Sequence, residues 1–250
     1  GNQFLGNGNL AIYLYDSTGH RIENNYISGV TNNPLLDSDG GIELDGSSDN
    51  QLVNNELFDT GDSGIMLREG SHRNLIVGNT SARASDAAIS LDDSDHNQVL
   101  DNVLHLAGGA AIGLGNAHHN LVAGNDVRFN PGGIELGGGS SHNRIEENDA
   151  SYSLAEGIAV EGGESNEIVN NIINNGNAAG ISLEAENFDA NGNAIGGSLI
   201  ANNTTNGNLA DGISVGGEGH TIADNAAHNN AAFGIRAAEG NIDGGGNTAS

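Results

Sequence analysis

The sequence predicts an all-β solenoid, in which a chain of 250 residues winds into about ten stacked coils of roughly 23 residues each. The first observation is a motif that recurs along almost the whole chain: a small residue, an Ile-x-Leu run, a polar turn, an Asn-x-aliphatic run and a second Asn. The second is its spacing, since seven of the nine intervals between motif starts are 22 to 24 residues long. The motifs begin at Ala11, Gly41, Gly64, Ala88, Ala111, Gly133, Gly157, Gly180, Gly212 and Gly234.

Each repeat contains three short runs in which apolar and polar residues alternate, which is the pattern of a strand with one buried face. In the second coil, Ile42 and Leu44 face one side of such a strand, and Glu43 and Asp45 face the other. Coils stacked at about 4.8 Å bury their Ile and Leu columns against one another. A helical solenoid is excluded because no run of ten or more residues has an apolar period of 3.6.

Asparagine recurs at two corners of the repeat. Asn tolerates the left-handed backbone of a tight corner, and its amide can bond to the equivalent Asn in the next coil. We therefore expect these residues to form structural ladders and to take no part in a binding site. The first column is Asn50, Asn74, Asn97, Asn120, Asn143 and Asn166, and the second is Asn25, Asn55, Asn79, Asn102, Asn125, Asn148, Asn171, Asn203 and Asn225.

The composition excludes several classes of function. The chain has 33 acidic residues against seven basic ones, all of them Arg, and a formal charge of −26. This charge repels phosphate backbones, so we expect no nucleic-acid partner. No apolar run reaches the roughly 18 residues of a membrane span, so we expect no membrane insertion. The absence of Cys excludes disulfides and a thiol nucleophile.

The chain resembles the right-handed parallel β-helix proteins of the pectate-lyase-like superfamily, in particular the carbohydrate-binding and sugar-hydrolase group that includes NosD-like proteins. The resemblance covers about residues 11 to 247 and is carried by the repeated segments GIELDGSSDNQLVNNELF, GIMLREGSHRNLIVGNT and GIAVEGGESNEIVNNII. It implies a single-stranded right-handed parallel β-helix with three short strands per coil. It also implies a polysaccharide partner, an extracellular or cell-surface location, and a site on the outward face of the first strand.

One part of that outward face carries the candidate catalytic residues. Asp45, Arg68 and Asp92 fall in one column on three consecutive coils. Carboxylates two coils apart are about 9 to 10 Å apart, near the span of an inverting glycosidase pair. We predict Asp45 and Asp92 as the acid and base, and Arg68 as the residue that holds the substrate. The predicted substrate-binding residues around them are Tyr13, Tyr15, Glu43, Glu69 and Asp93.

Other interpretations of this face stay open. The Asp-Arg-Asp column can also be charge compensation between neighbouring strands. Members of the resembling superfamily include lyases, epimerases, hydrolases and proteins without an assigned activity. The sequence therefore predicts a secreted or surface-exposed polysaccharide-active module, with a non-catalytic structural, adhesin-like or carbohydrate-binding module as the alternative. Whether the chain is an enzyme stays open.

No cofactor is certain from the sequence, but Ca²⁺ is a candidate. A lyase or epimerase acting on uronic acids would need a cation here, because the acidic surface repels a polyanion. The DPHD motif of mannuronan epimerases is absent. The segment EAENFDANGN places Glu184, Glu186 and Asp189 close together, as oxygen ligands of calcium often are. It lacks a closing Glu, and a solvated turn explains it equally well.

Histidines form another column, immediately before the corner Asn or one residue earlier. Stacked imidazoles could bind a transition metal or act in acid–base chemistry, although ligands in one line do not converge on an ion. Turn residues exposed to water are the alternative. If the rings stack, protonating one disfavours protonating the next, and their pKa values fall below about 6.5. The column consists of His72, His96, His119 and His142.

We expect a single β-helix domain over residues 1–250, with insertions at 31–40 and 187–198. Neither end of the sequence shows a segment that would cover the first or last coil. Because an open parallel edge invites pairing, we expect neighbouring domains in a longer chain or end-to-end self-association.

Overall fold

The computed structural model describes residues 1–31, 40–184 and 196–250. These residues form 27 strands and no helix. All strand pairs are parallel, and each turn of the chain adds one strand to each of two ten-stranded sheets, while the third side is completed by shorter strands or single bridges. The prediction of a parallel solenoid of about ten coils with three short strands each is confirmed. No helix in the described ranges has the length and apolarity to cross a membrane.

The first sheet has ten strands, one per coil, and the coils are numbered here by these strands. They are β2 (Ile12–Tyr15), β5 (Ile42–Asp45), β8 (Ile65–Arg68), β11 (Ile89–Asp92), β14 (Ala110–Gly115), β16 (Gly132–Gly137), β18 (Ile158–Glu161), β20 (Ile181–Glu184), β22 (Ile213–Val215) and β25 (Ile235–Ala237). Their register sets Ile opposite Ile throughout, as between Ile42 and Ile65.

The second sheet follows the first corner of each coil. Its strands are β3 (Arg21–Glu23), β6 (Gln51–Val53), β9 (Leu75–Val77), β12 (Gln98–Leu100), β15 (Leu121–Ala123), β17 (Arg144–Glu146), β19 (Glu167–Val169), β21 (Leu199–Ala201), β23 (Thr221–Ala223) and β26 (Ile242–Gly245). Its central residues again point into the core.

The third sheet is less regular. It contains β1 (Gln3–Leu5), β4 (Tyr26–Ser28), β7 (Glu56–Phe58), β10 (Thr80–Ala82) and β13 (Val103–His105), and at the far end β24 (Ala226–Ala227) pairs with β27 (Thr248–Ala249). Between these two groups, single parallel bridges through Asp126, Asp149, Ile172 and Thr204 continue the column.

The core is narrow and aliphatic. Its Ile, Leu and Val columns are almost completely buried, as at Ile112, Ile134 and Ile158. Within the described residues, none of the eight Phe and Tyr side chains is buried. Stacked aliphatic side chains thus fill the interior, and every described Phe and Tyr ring is at least partly on the surface.

Buried asparagine stacks line two corners. The Asn102 side chain accepts hydrogen bonds from the Asn79 backbone and side-chain amides at 2.8 and 3.0 Å, and it donates to Asn125 at 2.9 Å. The expectation that these Asn residues adopt the left-handed conformation is wrong. The preceding residue adopts it, as Asp101 does at φ 52°, because the stacked Asn must point its amide inward.

Candidate functional site

The register of the first sheet assembles the predicted column. Asp45 lies opposite Arg68, and Tyr15 lies opposite Asp45 one coil earlier. Leu67 lies opposite Leu91, so Asp92 follows Arg68 in the next coil. These side chains all belong to the first-sheet face, defined here as the outward-pointing side chains of the ten first-sheet strands.

Arg68 is held by two carboxylates of the preceding coil. Its Nη2 atom is 2.6 Å from Oε1 of Glu43 and 3.5 Å from Oδ2 of Asp45. Glu43 was predicted to contact substrate, but its side chain is completely buried, whereas Arg68 is 26% exposed. A charged side chain can be buried when an oppositely charged partner and hydrogen bonds offset the loss of its hydration. In this arrangement Glu43 contacts the guanidinium of Arg68 and helps to orient it.

Two tyrosines form the edge of the cluster. The hydroxyl of Tyr13 donates a hydrogen bond to Oδ2 of Asp45 at 3.0 Å. The pKa of Tyr13 is raised, mainly because its hydroxyl loses water and also because the Asp45 carboxylate is close. The rings of Tyr13 and Tyr15 are 6.2 Å apart between centroids, and both are exposed. The strand thus presents two adjacent aromatic surfaces beside Asp45.

Asp92 has a different environment from Asp45. It accepts a hydrogen bond from the Ser90 hydroxyl at 2.9 Å. Neighbouring atoms displace water from its carboxyl, and this raises the pKa of Asp92 although the residue is exposed; the nearby Asp93 adds to the shift. A carboxyl with a raised pKa is suited to donate a proton.

A glycine-floored slot lies beyond Asp92. Both outward positions of the fifth coil are glycine, and a Cβ at Gly113 would meet no atom within 4 Å. A Cβ at Gly115 would lie 2.5 Å from Oδ1 of Asp92, so the carboxylate leans over this glycine. On the far side stands Glu135, whose pKa is raised by loss of water and then by neighbouring carboxylates such as Glu161.

Glu135 was not among the predicted site residues. The signal that could have identified it is the pair of glycines in the fifth coil, since a strand without outward side chains opens a gap between its neighbours. Glu69 and Asp93 leave the column at the corner that ends the first strand, where both have positive φ values and are exposed. They border the site without contacting Asp45 in any described hydrogen bond.

The predicted calcium ligands lie mostly beyond the described ranges. Glu184 is the last residue of β20 and is exposed. Glu186 and Asp189 lie outside the described residues. Calcium binding at this segment therefore stays a prediction.

The histidine column contains three members, not four. His72 departs from it, because Arg73 takes the left-handed corner position and Nδ1 of His72 accepts a hydrogen bond from the Asp95 backbone at 2.9 Å. The pKa of His119 is lowered, mainly because its ring loses water and also because the adjacent imidazoles disfavour a second positive charge. The rings that stack, with centroids 4.9 Å apart in each pair, are His96, His119 and His142.

Solved structures with this fold include several enzymes. The periplasmic alginate epimerase AlgG superimposes with a TM-score of 0.76 at 13% identity over 91% of this chain, which spans 59% of AlgG. The A-module of the mannuronan C-5 epimerase AlgE6 from Azotobacter vinelandii gives 0.65 at 14% identity, covering 98% of this chain and 75% of the module. The catalytic domain of a GH87 α-1,3-glucanase gives 0.61 at 12% identity, covering 98% and 63%. No curated protein sequence matches the chain significantly.

Two family models match more than half of the chain each. The right-handed β-helix region matches residues 1–150, and the periplasmic copper-binding protein (NosD) model matches residues 79–242. Copper sites use thiolate, thioether and converging imidazole ligands. This chain has no Cys and one Met, and its stacked imidazoles are nearly parallel.

Among the described residues, no three His, Cys, Asp or Glu side chains are grouped so that they could hold a metal ion. This donor set does not fit a copper site. The repeat, the parallel register and the family matches nevertheless agree on one architecture. The chain belongs to the right-handed β-helix family, with NosD-type repeats over residues 79–242.

Proposed function

We propose that the protein binds and cleaves a polysaccharide on the first-sheet face. The observation that carries the proposal is the column formed by Asp45, Arg68 and Asp92, with an exposed pair of tyrosines at one end and a glycine-floored slot at the other. Carboxylates, a guanidinium and aromatic edges along one shallow face match the hydroxyl groups and apolar ring faces of sugars.

The chemistry that fits this column is inverting hydrolysis. Asp92, with its raised pKa, donates its proton to the glycosidic oxygen as the bond between that oxygen and the anomeric carbon breaks. Asp45 accepts a proton from water as the water oxygen bonds to the anomeric carbon from the opposite side. Two coils separate the carboxylates by about 9 to 10 Å, close to the separation that leaves room for the water. Arg68 and the tyrosines hold the neighbouring sugars.

The relatives support a polysaccharide substrate and a location outside the cytoplasm. An alginate epimerase, a mannuronan epimerase and an α-1,3-glucanase share the fold. The epimerase AlgG and the NosD protein are both periplasmic. The charge of −26 favours a neutral glycan. An anionic glycan would require a bridging cation, for which Ca²⁺ near Glu184 is the candidate. Extracellular, cell-surface or periplasmic sites are all consistent with this substrate class.

The test is a panel of neutral and uronic-acid glycans, assayed for new reducing ends with and without Ca²⁺. We expect Asp92→Asn to reduce turnover by at least 100-fold, because it removes the proton donor. The matched control is Asp243→Asn, an exposed carboxylate far along the solenoid. Turnover that survives Asp92→Asn unchanged would remove Asp92 from the mechanism. Product of retained anomeric configuration would exclude the inverting assignment.

A non-catalytic carbohydrate-binding module is the second candidate. Its specific support is the state of Asp45, whose Oδ2 already accepts a hydrogen bond from Tyr13 and lies near Arg68. A carboxylate held in this way can bind sugar hydroxyls without activating water. Calorimetric binding to a glycan of the panel without any turnover, weakened by Tyr13→Ser, would favour this function over hydrolysis.

A further inference from the structure

Exposed apolar side chains are concentrated on one side of the solenoid. Of the thirteen large apolar side chains exposed in the described residues, ten lie on the third sheet or in the turn that follows it. The turn that follows the third sheet in each coil is called the third corner, and it begins at a residue with positive φ such as Leu106 or Phe129. Its central part forms a groove of about 320 Å³ lined chiefly by Leu106, Phe129, Tyr152 and Leu154. Contiguous apolar surface of this kind marks an interaction site.

The backbone of the third corner adds an independent observation. Leu106, Phe129 and Tyr152 begin the corner on three consecutive coils with φ values of 57°, 61° and 63°. Bulky side chains rarely adopt this left-handed conformation, and strained residues of this kind cluster where a protein functions. Other coils begin the same corner with residues that tolerate it better, such as Asn175 and Gly207. The fold therefore does not require bulky residues here.

The aromatic rings of this patch are arranged for contact with a protein surface. Phe129 and Tyr152 stack with centroids 5.0 Å apart and an interplanar angle of 8°. Because each ring covers a face of the other, the patch presents ring edges and the side chain of Leu154, which is 64% exposed. Sugar rings stack on free aromatic faces, whereas apolar side chains of a protein pack against edges and aliphatic groups.

Ion pairs neutralise carboxylates beside the apolar groove, although Glu56 and Asp86 are exposed elsewhere on this side of the solenoid. Arg83 forms a bidentate pair with Asp59, and Arg128 forms one with Asp126. Two of the seven basic residues of a chain with net charge −26 are thus used on this one side. A second copy of the chain carries the same charge, so it can approach closely only where carboxylates are neutralised.

We propose that two copies of this chain associate side by side through their third sheets and third corners. A contact related by a two-fold axis pairs the same patch on both copies, which suits a strip that runs along the rod. Ten coils at about 4.8 Å each give this strip a length of about 45 Å, and a stable interface needs ~800 Å² per partner. The contact is lateral and leaves both first-sheet faces open.

Sedimentation velocity at 1–100 µM chain in 50 and 500 mM NaCl tests the association. We expect a dimer whose dissociation constant falls several-fold at the higher salt, because salt screens the repulsion between like charges. The triple variant Leu106→Asn, Phe129→Asn, Tyr152→Asn should bind itself at least 50-fold more weakly. Asn occupies this corner elsewhere in the chain, so circular dichroism and thermal unfolding should show an intact fold.

The matched control removes two exposed aromatic rings from the first-sheet face, in the double variant Tyr13→Ser, Tyr15→Ser, which should dimerise like the original chain. A chain that is monomeric at every concentration and salt would overturn the proposal. So would a triple variant that still associates, which would indicate end-to-end contacts, or a dimer that salt dissociates, which would indicate ionic contacts.

Discussion

The first-sheet face and the third corner are built on the same repeat but carry opposite chemistry. On the first-sheet face, Asp45, Arg68 and Tyr13 contact one another through hydrogen bonds and ion pairs. At the third corner, Phe129 and Tyr152 stack in an apolar groove on a left-handed backbone. The interior beneath both regions is the same set of aliphatic columns. Outward positions in a solenoid are therefore free to specialise, and departures from the repeat are where function is to be sought.

The fifth coil and its neighbours show such departures on both sides at once. Facing outward on the first sheet, Gly113 and Gly115 open a slot. At the third corner of the same coil, Phe129 stands where the second coil has Asp59 and the seventh has Asn175. Neither change alters the register of Ile112 with the coils above and below it. The interior thus holds the geometry while each face changes separately.

The largest effect should come from breaking the interior that the two faces share. Oδ1 of Asn125 accepts hydrogen bonds from the backbone and side-chain amides of Asn102, and its amide donates to the Val99 carbonyl. Asn125→Leu leaves these buried groups unpaired, at about 1–3 kcal/mol each. We expect the free energy of unfolding, measured by urea denaturation, to fall by about 3–6 kcal/mol.

The matched outward substitution is Gly113→Ala, which adds a Cβ where no atom lies within 4 Å. It should change the free energy of unfolding by less than about 0.5 kcal/mol. Equal losses in the two variants would contradict the separation between a fixed interior and free outward positions.

The sequence predicts the fold and the columns well because both follow from aliphatic spacing. Once Ile42 is set opposite Ile65, the positions of Asp45 and Arg68 in one column are fixed by the pleat. Residue spacing does not predict the conformation or the burial of the outward side chains. Glu43 occupies an outward position but is completely buried beside the Arg68 guanidinium, and a period-2 pattern predicts such a position to be exposed.

Corner geometry was less predictable for a related reason. The Asn that stacks and the residue that turns are neighbours, and both positions favour the same residue types. A pattern of Asn residues therefore does not say which one has positive φ. The additional residue Arg73 between His72 and Asn74 shows the consequence, because it removes His72 from the stack. The apolar side chains of the third corner likewise could not be predicted from the repeat, because the repeat is defined by the buried positions.

An intermediate effect concerns pH and a single irregular position of the interior. His220 occupies the place of a stacked Asn: it is buried, its backbone amide donates to Oδ1 of Asn241 at 3.0 Å, and its Nδ1 has no hydrogen-bond partner. Burial lowers the pKa of His220 below its usual value. As pH falls below about 6.5, His220 is protonated in the unfolded chain before it is protonated in the folded chain. The neutral, buried His220 therefore contributes to stability at higher pH, and this contribution is lost as pH falls towards the pKa of His220 in the folded chain.

We expect the original chain to lose about 1 kcal/mol more stability than His220→Asn between pH 7.5 and 5.5. The other histidines are common to both chains, so the difference isolates this position. Urea denaturation at the two pH values measures it. Parallel loss in both chains would place the pH sensitivity elsewhere, for example in the stack around His119.

The smallest effect tests whether the third corner gives up stability for its apolar surface. Leu106 has φ 57° and is 57% exposed, so its side chain gains little burial in return for a strained backbone. Leu106→Asn should raise the free energy of unfolding by about 0.5–1 kcal/mol, and Asn175→Leu at the same corner should lower it by a similar amount. Both are measured by urea denaturation at a chain concentration low enough that association is absent. If both substitutions are neutral, the corner tolerates bulky residues without strain, and their presence on three consecutive coils needs no functional reason.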